Sequence, residues 1–181
     1  MMKFETVRPI GWSSLLVGTA VSLAMAACAP IEVRSKPGTT TTVILTRHAD
    51  RHPDDPKLNA TGRVRAQALV DAVKGMGVTA IYSPNVERNL DTTRPLAREL
   101  GIEITVTPEA SVFVADSIAR ELLDKHAGGV IVWVGNVTGN LPVVFHYLGG
   151  VGSGPAEYGD PFVMTISDKA PTRVEKRRYG P

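Results

Sequence analysis

The sequence predicts an α/β domain of three layers, a mainly parallel sheet covered on both faces by helices. Three observations carry that expectation. Short β-branched and apolar runs alternate with stretches of helical spacing in the order β, α, β, α, β, α, β. The runs Val43-Ile44-Leu45 and Val130-Ile131-Val132-Trp133-Val134 lack the polar alternation of a half-exposed strand, so helices are expected on both their faces. Glycines also fall where the helices should stop, at Gly75, Gly101 and Gly128-Gly129.

The elements follow in order. Thr41 to Thr46 reads as a first strand. Asn59 or Thr61 can then cap a helix reaching Gly75, whose apolar positions Val64, Ala68, Leu69, Ala72, Val73 and Met76 recur at helical spacing, with Arg63, Arg65, Asp71 and Lys74 on the outer face. Ala80 to Tyr82 is a second strand, Arg88 to Leu100 a helix that Pro95 is expected to kink or restart, and Ile102 to Val106 a third strand. Ser111 to His126 reads as a helix, Val130 to Val134 as the clearest buried strand, and Pro142 to Leu148 as a last short helix. Phe162 to Ile166 and Arg173 to Tyr179 are expected to close the sheet.

Composition limits what this domain can do. The chain has 181 residues, 20 Lys+Arg against 18 Asp+Glu, 43% hydrophobic residues and 6% aromatics. That length suits one folded domain, and the balanced charge with few aromatics excludes a nucleic-acid partner. A domain of this size needs no disulfide or structural metal, and one cysteine could form no internal disulfide.

That cysteine has a telling position. Lys3 and Arg8 precede a stretch from Pro9 to Ile31 without any charge, which is the pattern of a secretory signal. The stretch runs into Met25-Ala26-Ala27-Cys28, which resembles the bacterial lipobox, although Met25 stands where leucine is usual. The expectation is a signal peptide over 1–27, a lipidated Cys28 opening a tether that runs to Thr42, and a folded domain over 43–181 in the bacterial cell envelope, held to the membrane and facing the periplasm or exterior. An uncleaved transmembrane anchor is the alternative.

In a sheet of this type ligands bind beyond the carboxyl ends of the strands. The segments there are Arg47-His48-Ala49-Asp50, then Ser83 to Arg88, Thr107-Pro108-Glu109, and Gly135-Asn136-Val137-Thr138-Gly139-Asn140. Two arginines and a histidine share that edge. Each guanidinium fork can grip oxygens of a tetrahedral oxyanion while the ring nitrogen attacks phosphorus. His48 and His52 sit four apart with Asp50 between, but Pro53 and Pro56 make the segment a loop, so no metal site is expected and no cofactor is implied.

These residues resemble the histidine phosphatase superfamily, the phosphoglycerate mutase-like group, and its small bacterial members that begin Arg-His-Ala. The likeness rests on Thr46-Arg47-His48-Ala49, on Leu58 to Arg63 with Arg65-Ala66, on Tyr82-Ser83 with Arg88 and Thr92, and on Val134-Gly135 and Leu148-Gly149-Gly150. It implies a phosphoglycerate mutase-like fold, His48 as a nucleophile that becomes phosphorylated, and Arg47 and Arg88 as clamps on the phosphoryl oxygens. Glu109 stands where the family often places its acid, with Asp50, Asp54 and Asp116 as rivals. The chain departs from the family at the fourth strand, where Asn136 replaces a second histidine and one extra residue precedes Pro142. Neither His126 nor His146 obviously substitutes. A neutral amide in place of a charged donor should cost on the order of 1 to 3 kcal/mol of transition-state stabilisation.

The resulting expectation is an exported phosphomonoester hydrolase, impaired by Asn136, acting on a phosphorylated small molecule or phosphoprotein. The alternative is an inactive lipoprotein that binds a phospho-ligand or partner. Mutase activity is disfavoured because the chain between Arg88 and Glu109 lacks insertions.

Overall fold

The computed structural model describes residues 33–108 and 112–181. Six strands, β1 (Thr40–Arg47), β2 (Val78–Pro84), β3 (Ile104–Thr107), β4 (Val130–Gly135), β5 (Phe162–Ser167) and β6 (Arg173–Lys176), form one sheet in the order β3-β2-β4-β1-β5-β6. The first four run parallel, whereas β5 is antiparallel to β1 and β6 to β5. Among the described residues there are also four α-helices: α1 (Ala60–Ala72), α2 (Glu87–Leu100), α3 (Ala115–Lys125) and α4 (Asn140–Tyr147).

Alternation along each central strand sends side chains into two separate cores. Val43, Leu45, Ala80, Tyr82, Ile131 and Trp133 meet α3 and α4 through Ile118, Leu122, Leu141 and Phe145. Ile44, Ile81, Val132 and Val134 meet α1 and α2 through Leu69, Val73 and Leu96. This is the three-layer α/β/α arrangement that the alternating elements predict, and it places the carboxyl ends of β1, β2 and β4 side by side.

Several local expectations are corrected. Val64 is exposed, and Arg65, expected on the outer face of α1, is buried. An ion pair decides this: Arg65 Nε donates to Asp50 Oδ2 at 2.6 Å, and its Nη1 donates to the Tyr179 carbonyl at 2.8 Å. Pro95 lies inside α2, which continues to Leu100 because the fully buried Leu96 fastens that turn to the sheet against a proline cost of about 3 kcal/mol. The helix expected from Ser111 begins at Ala115 after a 3-10 turn, Val112–Val114. Strand β6 ends at Lys176 rather than Tyr179. At the other end, β1 starts inside the segment expected to be a tether: Thr41 is buried, and the Val33 N–H donates to the Tyr147 carbonyl at 3.0 Å. Cys28 and the segment expected to be a leader lie outside the described residues. Among the described residues no helix is long and apolar enough to cross a membrane.

Candidate active site

The site is assembled by three strand ends. Arg47 is the last residue of β1 and pairs with Gly135 of β4; the His48 N–H then donates to the Gly135 carbonyl at 3.2 Å, extending the ladder by one step. His48 and Asn136 are therefore neighbours across the ends of two adjacent parallel strands. Position 135 must be glycine, since a Cβ there would lie 2.2 Å from the Trp133 ring.

Arg88 arrives from the first turn of α2, which two buried polar residues fasten in place. Thr92 Oγ1 accepts the Ala49 N–H at 2.9 Å and donates to the Arg88 carbonyl at 2.7 Å. Asn89 Nδ2 donates to the Val134 carbonyl at 3.3 Å. The arginine fork reaches across the sheet edge, and Arg88 Nη2 donates to Asn136 Oδ1 at 2.7 Å.

His48 is 3% exposed, and its Nδ1 lies 2.8 Å from its neighbour Ala49's carbonyl oxygen. A carbonyl only accepts, so Nδ1 carries the proton and Nε2 keeps its lone pair. Burial lowers the imidazole pKa from 6.5 to about 4; the Ala49 carbonyl opposes that shift, while the charges of Arg88, Arg47 and Arg51 reinforce it. The ring is thus neutral and nucleophilic at neutral pH. Burial, with Arg51 and Arg47 nearby, also pushes the Arg88 guanidinium below its usual value.

Several buried donors on residues at this edge lack partners. Arg47 Nε, Arg51 Nε, Arg88 Nε and Asn136 Nδ2 are buried without a hydrogen-bond partner. Unpaired buried N–H groups are costly, and four of them on residues at or just beyond the ends of β1 and β4 and on the first turn of α2 would suit an anion. Three cavities of about 370, 340 and 330 Å3 lie elsewhere, and none is lined by Arg47, His48, Arg88 or Asn136. Polarity rather than volume marks the site.

Arg47, His48, Arg88 and Asn136 thus lie at one edge of the sheet. The acids do not join them. Asp50 is consumed by Arg65, Asp116 lies on α3 bound to Arg120 at 2.9 Å, Asp54 is exposed, and Glu109 lies outside the described residues. His126 Nε2 sits 2.8 Å from the Tyr82 hydroxyl, and His146 Nδ1 lies 3.0 Å from the Gly150 carbonyl; neither joins the site. No metal-binding group of side chains occurs among the described residues.

Two site residues escaped sequence reasoning. Arg51 acts electrostatically on both His48 and Arg88, and its Nη1 is held by the carbonyls of His52 at 2.8 Å and Pro53 at 2.5 Å. Tyr158 comes from the glycine-rich loop before β5. Its ring lies under the Arg47 guanidinium and its centroid is 5.7 Å from that of His48. The only signal for either was its place in a segment bordering the strand ends.

Comparison with known proteins agrees with this fold. Residues 43–111 match the family model described as Histidine phosphatase superfamily (branch 1). No curated protein matches the chain by sequence. Among solved structures the fold is similar to the protein histidine phosphatase SixA complexed with tungstate, at TM-score 0.57 and 15% identity over 76% of this chain and 96% of that one. It is also similar to mycobacterial hydrolase 1, at TM-score 0.61 and 13% identity, with 78% and 100% covered. A third likeness is to mycobacterial glucosyl-3-phosphoglycerate phosphatase in complex with VO3, at TM-score 0.58 and 14% identity, with 77% and 98% covered. The chain has the phosphoglycerate mutase-like fold of the histidine phosphatases, and over residues 43–111 it carries the sequence pattern of that superfamily.

Proposed function

We propose that this chain is a phosphomonoester hydrolase that works through a phosphohistidine, exported and lipid-anchored at Cys28. The set of unpartnered N–H donors at the edge that holds a neutral, buried His48 carries the reading. Tungstate and VO3 in the two structural neighbours are phosphoryl mimics, which is in keeping with it.

In the first step His48 Nε2 attacks phosphorus, a P–N bond forms, the ester P–O bond breaks, and the leaving oxygen takes a proton from solvent water. Arg47, Arg88 and Arg51 meet the charge on the phosphoryl oxygens, where preorganised donors act with little reorganisation. In the second step water attacks phospho-His48, the P–N bond breaks, and phosphate leaves with the imidazole neutral again. Asn136 Oδ1 is spent on Arg88, so only its neutral Nδ2–H remains for the transferring group. That weakens the transition state relative to a charged imidazolium by about 1 to 3 kcal/mol.

The second reading is a phospho-ligand-binding protein without turnover, favoured by the neutral Asn136 and by the engagement of Asp50 with Arg65. His48→Ala separates the two. An enzyme loses hydrolysis of para-nitrophenyl phosphate and its acid-labile phosphohistidine while still binding tungstate. A parent chain that binds tungstate but never hydrolyses supports the binding protein, and hydrolysis surviving in His48→Ala refutes the nucleophile.

A further inference from the structure

The two phosphate-clamp candidates are held by different partners. Arg88 is fixed by Asn136. Arg47 is fixed by the loop between α4 and β5: Nη1 donates to the Ala156 carbonyl at 3.0 Å, Nη2 donates to the Tyr158 hydroxyl at 3.1 Å, and the guanidinium carbon lies 3.9 Å from the Tyr158 ring centroid. The Tyr158 ring is tilted 57° to that of His48, with the two centroids 5.7 Å apart. One loop side chain therefore reaches both His48 and Arg47.

A surface loop would normally be a poor base for such a contact. Here the next residue anchors it. The Gly159 carbonyl accepts the Tyr179 N–H at 2.8 Å, the Tyr179 carbonyl accepts Arg65 Nη1 at 2.8 Å, and Arg65 pairs with Asp50, two residues beyond His48. Gly159 has φ 79°, and a Cβ there would lie 2.5 Å from the Tyr179 oxygen, so only glycine permits this approach. Asp160 adds an ion pair to Arg178 at 2.8 Å.

We propose that Tyr158 is a positioning residue for Arg47. Its ring and hydroxyl occupy one face and one arm of the guanidinium, leaving the buried, unpartnered Nε as a donor kept for the oxyanion. This rests on reading the cluster as a phosphate pocket, and it assigns the loop a part in oxyanion affinity rather than in mere closure. The buried Asp50–Arg65 pair then serves the site at one remove, by holding the loop's anchor to the segment that follows His48.

The test measures tungstate affinity calorimetrically in the full chain and its Tyr158→Phe, Tyr158→Leu, Arg47→Ala and Arg47→Ala/Tyr158→Leu variants, with the Arg47 Nε–H followed by NMR. Tyr158→Phe keeps the stack and removes one exchangeable hydrogen-bond partner of the guanidinium, and should weaken tungstate about threefold. Tyr158→Leu loses stack and bond and should weaken it about tenfold or more. In the Arg47→Ala background the leucine substitution should add less than about twofold, because a residue acting through Arg47 has nothing left to act on.

Wild-type affinity in Tyr158→Leu at an unchanged Tm, or losses that simply add, would overturn the proposal. If Tyr158→Leu fails to fold, the comparison of parent and Tyr158→Phe in the two Arg47 backgrounds decides instead. A parent that binds no tungstate refutes the phosphate pocket but not the contact. The Arg47 Nε–H signal then judges Tyr158: exchange protection lost with the ring sustains the proposal, and equal protection overturns it.

Discussion

Lowering the pH should expose the strain of burying His48. The ring is 3% exposed, and burial with Arg88, Arg47 and Arg51 nearby brings its pKa down to about 4. In the unfolded chain the same imidazole titrates near 6.5. Between those values the unfolded chain binds a proton that the folded protein refuses, so stability must fall as pH drops through this window and be fully present above about 6.5. Working that difference from pH 7 to 4.5 costs the folded state roughly 2 to 3 kcal/mol through this residue alone.

Two measurements check it. The His48 ring resonances should remain those of a neutral Nδ1–H tautomer down to about pH 5, and urea unfolding at pH 7 and 4.5 should show a decline that His48→Ala reduces by the stated amount. Saturating tungstate should raise the His48 pKa, because a dianion offsets the surrounding cations. An imidazole titrating near 6.5 in the folded protein, or an unchanged pH dependence in His48→Ala, would refute the argument that burial keeps the nucleophile neutral.

Other outcomes follow from the same structure. Asn136→His restores an imidazole that can accept from Arg88 and donate into the pocket, and should raise kcat/KM on a phosphomonoester about tenfold. No rise in that variant or in one also shortened by a residue between Val137 and Asn140, with folding and phosphate binding intact, would show that the missing histidine is not what limits turnover. Arg65→Ala strands the Asp50 carboxylate and frees the loop anchor, so chemical denaturation should show a loss of about 3 kcal/mol or more; a loss under 1 kcal/mol would deny the pair its structural role. Mass spectrometry of membranes from a bacterial host should find a mature chain beginning at an acylated Cys28, and Cys28→Ser should abolish the modification.

Much of this protein was legible in its sequence because the relevant physics is local. Apolar runs at Val43 to Leu45 and Val130 to Val134, helical spacing between them and glycine stops determine an alternating α/β chain. In such a sheet, residues one step beyond the strands must share an edge. Arg47, His48, Arg88 and Asn136 were placed at one edge that way. Contacts between distant segments were not. The burial of Arg65 depended on where Asp50 and the Tyr179 carbonyl came to lie, and a charge at an outward-reading helical position carries no mark of a partner fifteen or more residues away. Tyr158 stands in a loop without periodicity, 111 residues from the arginine whose guanidinium it binds. Sequence patterning sets which face of an element is apolar; only the closed fold sets which polar groups must satisfy one another inside it, and here that decides the state of His48 and the hold on Arg47.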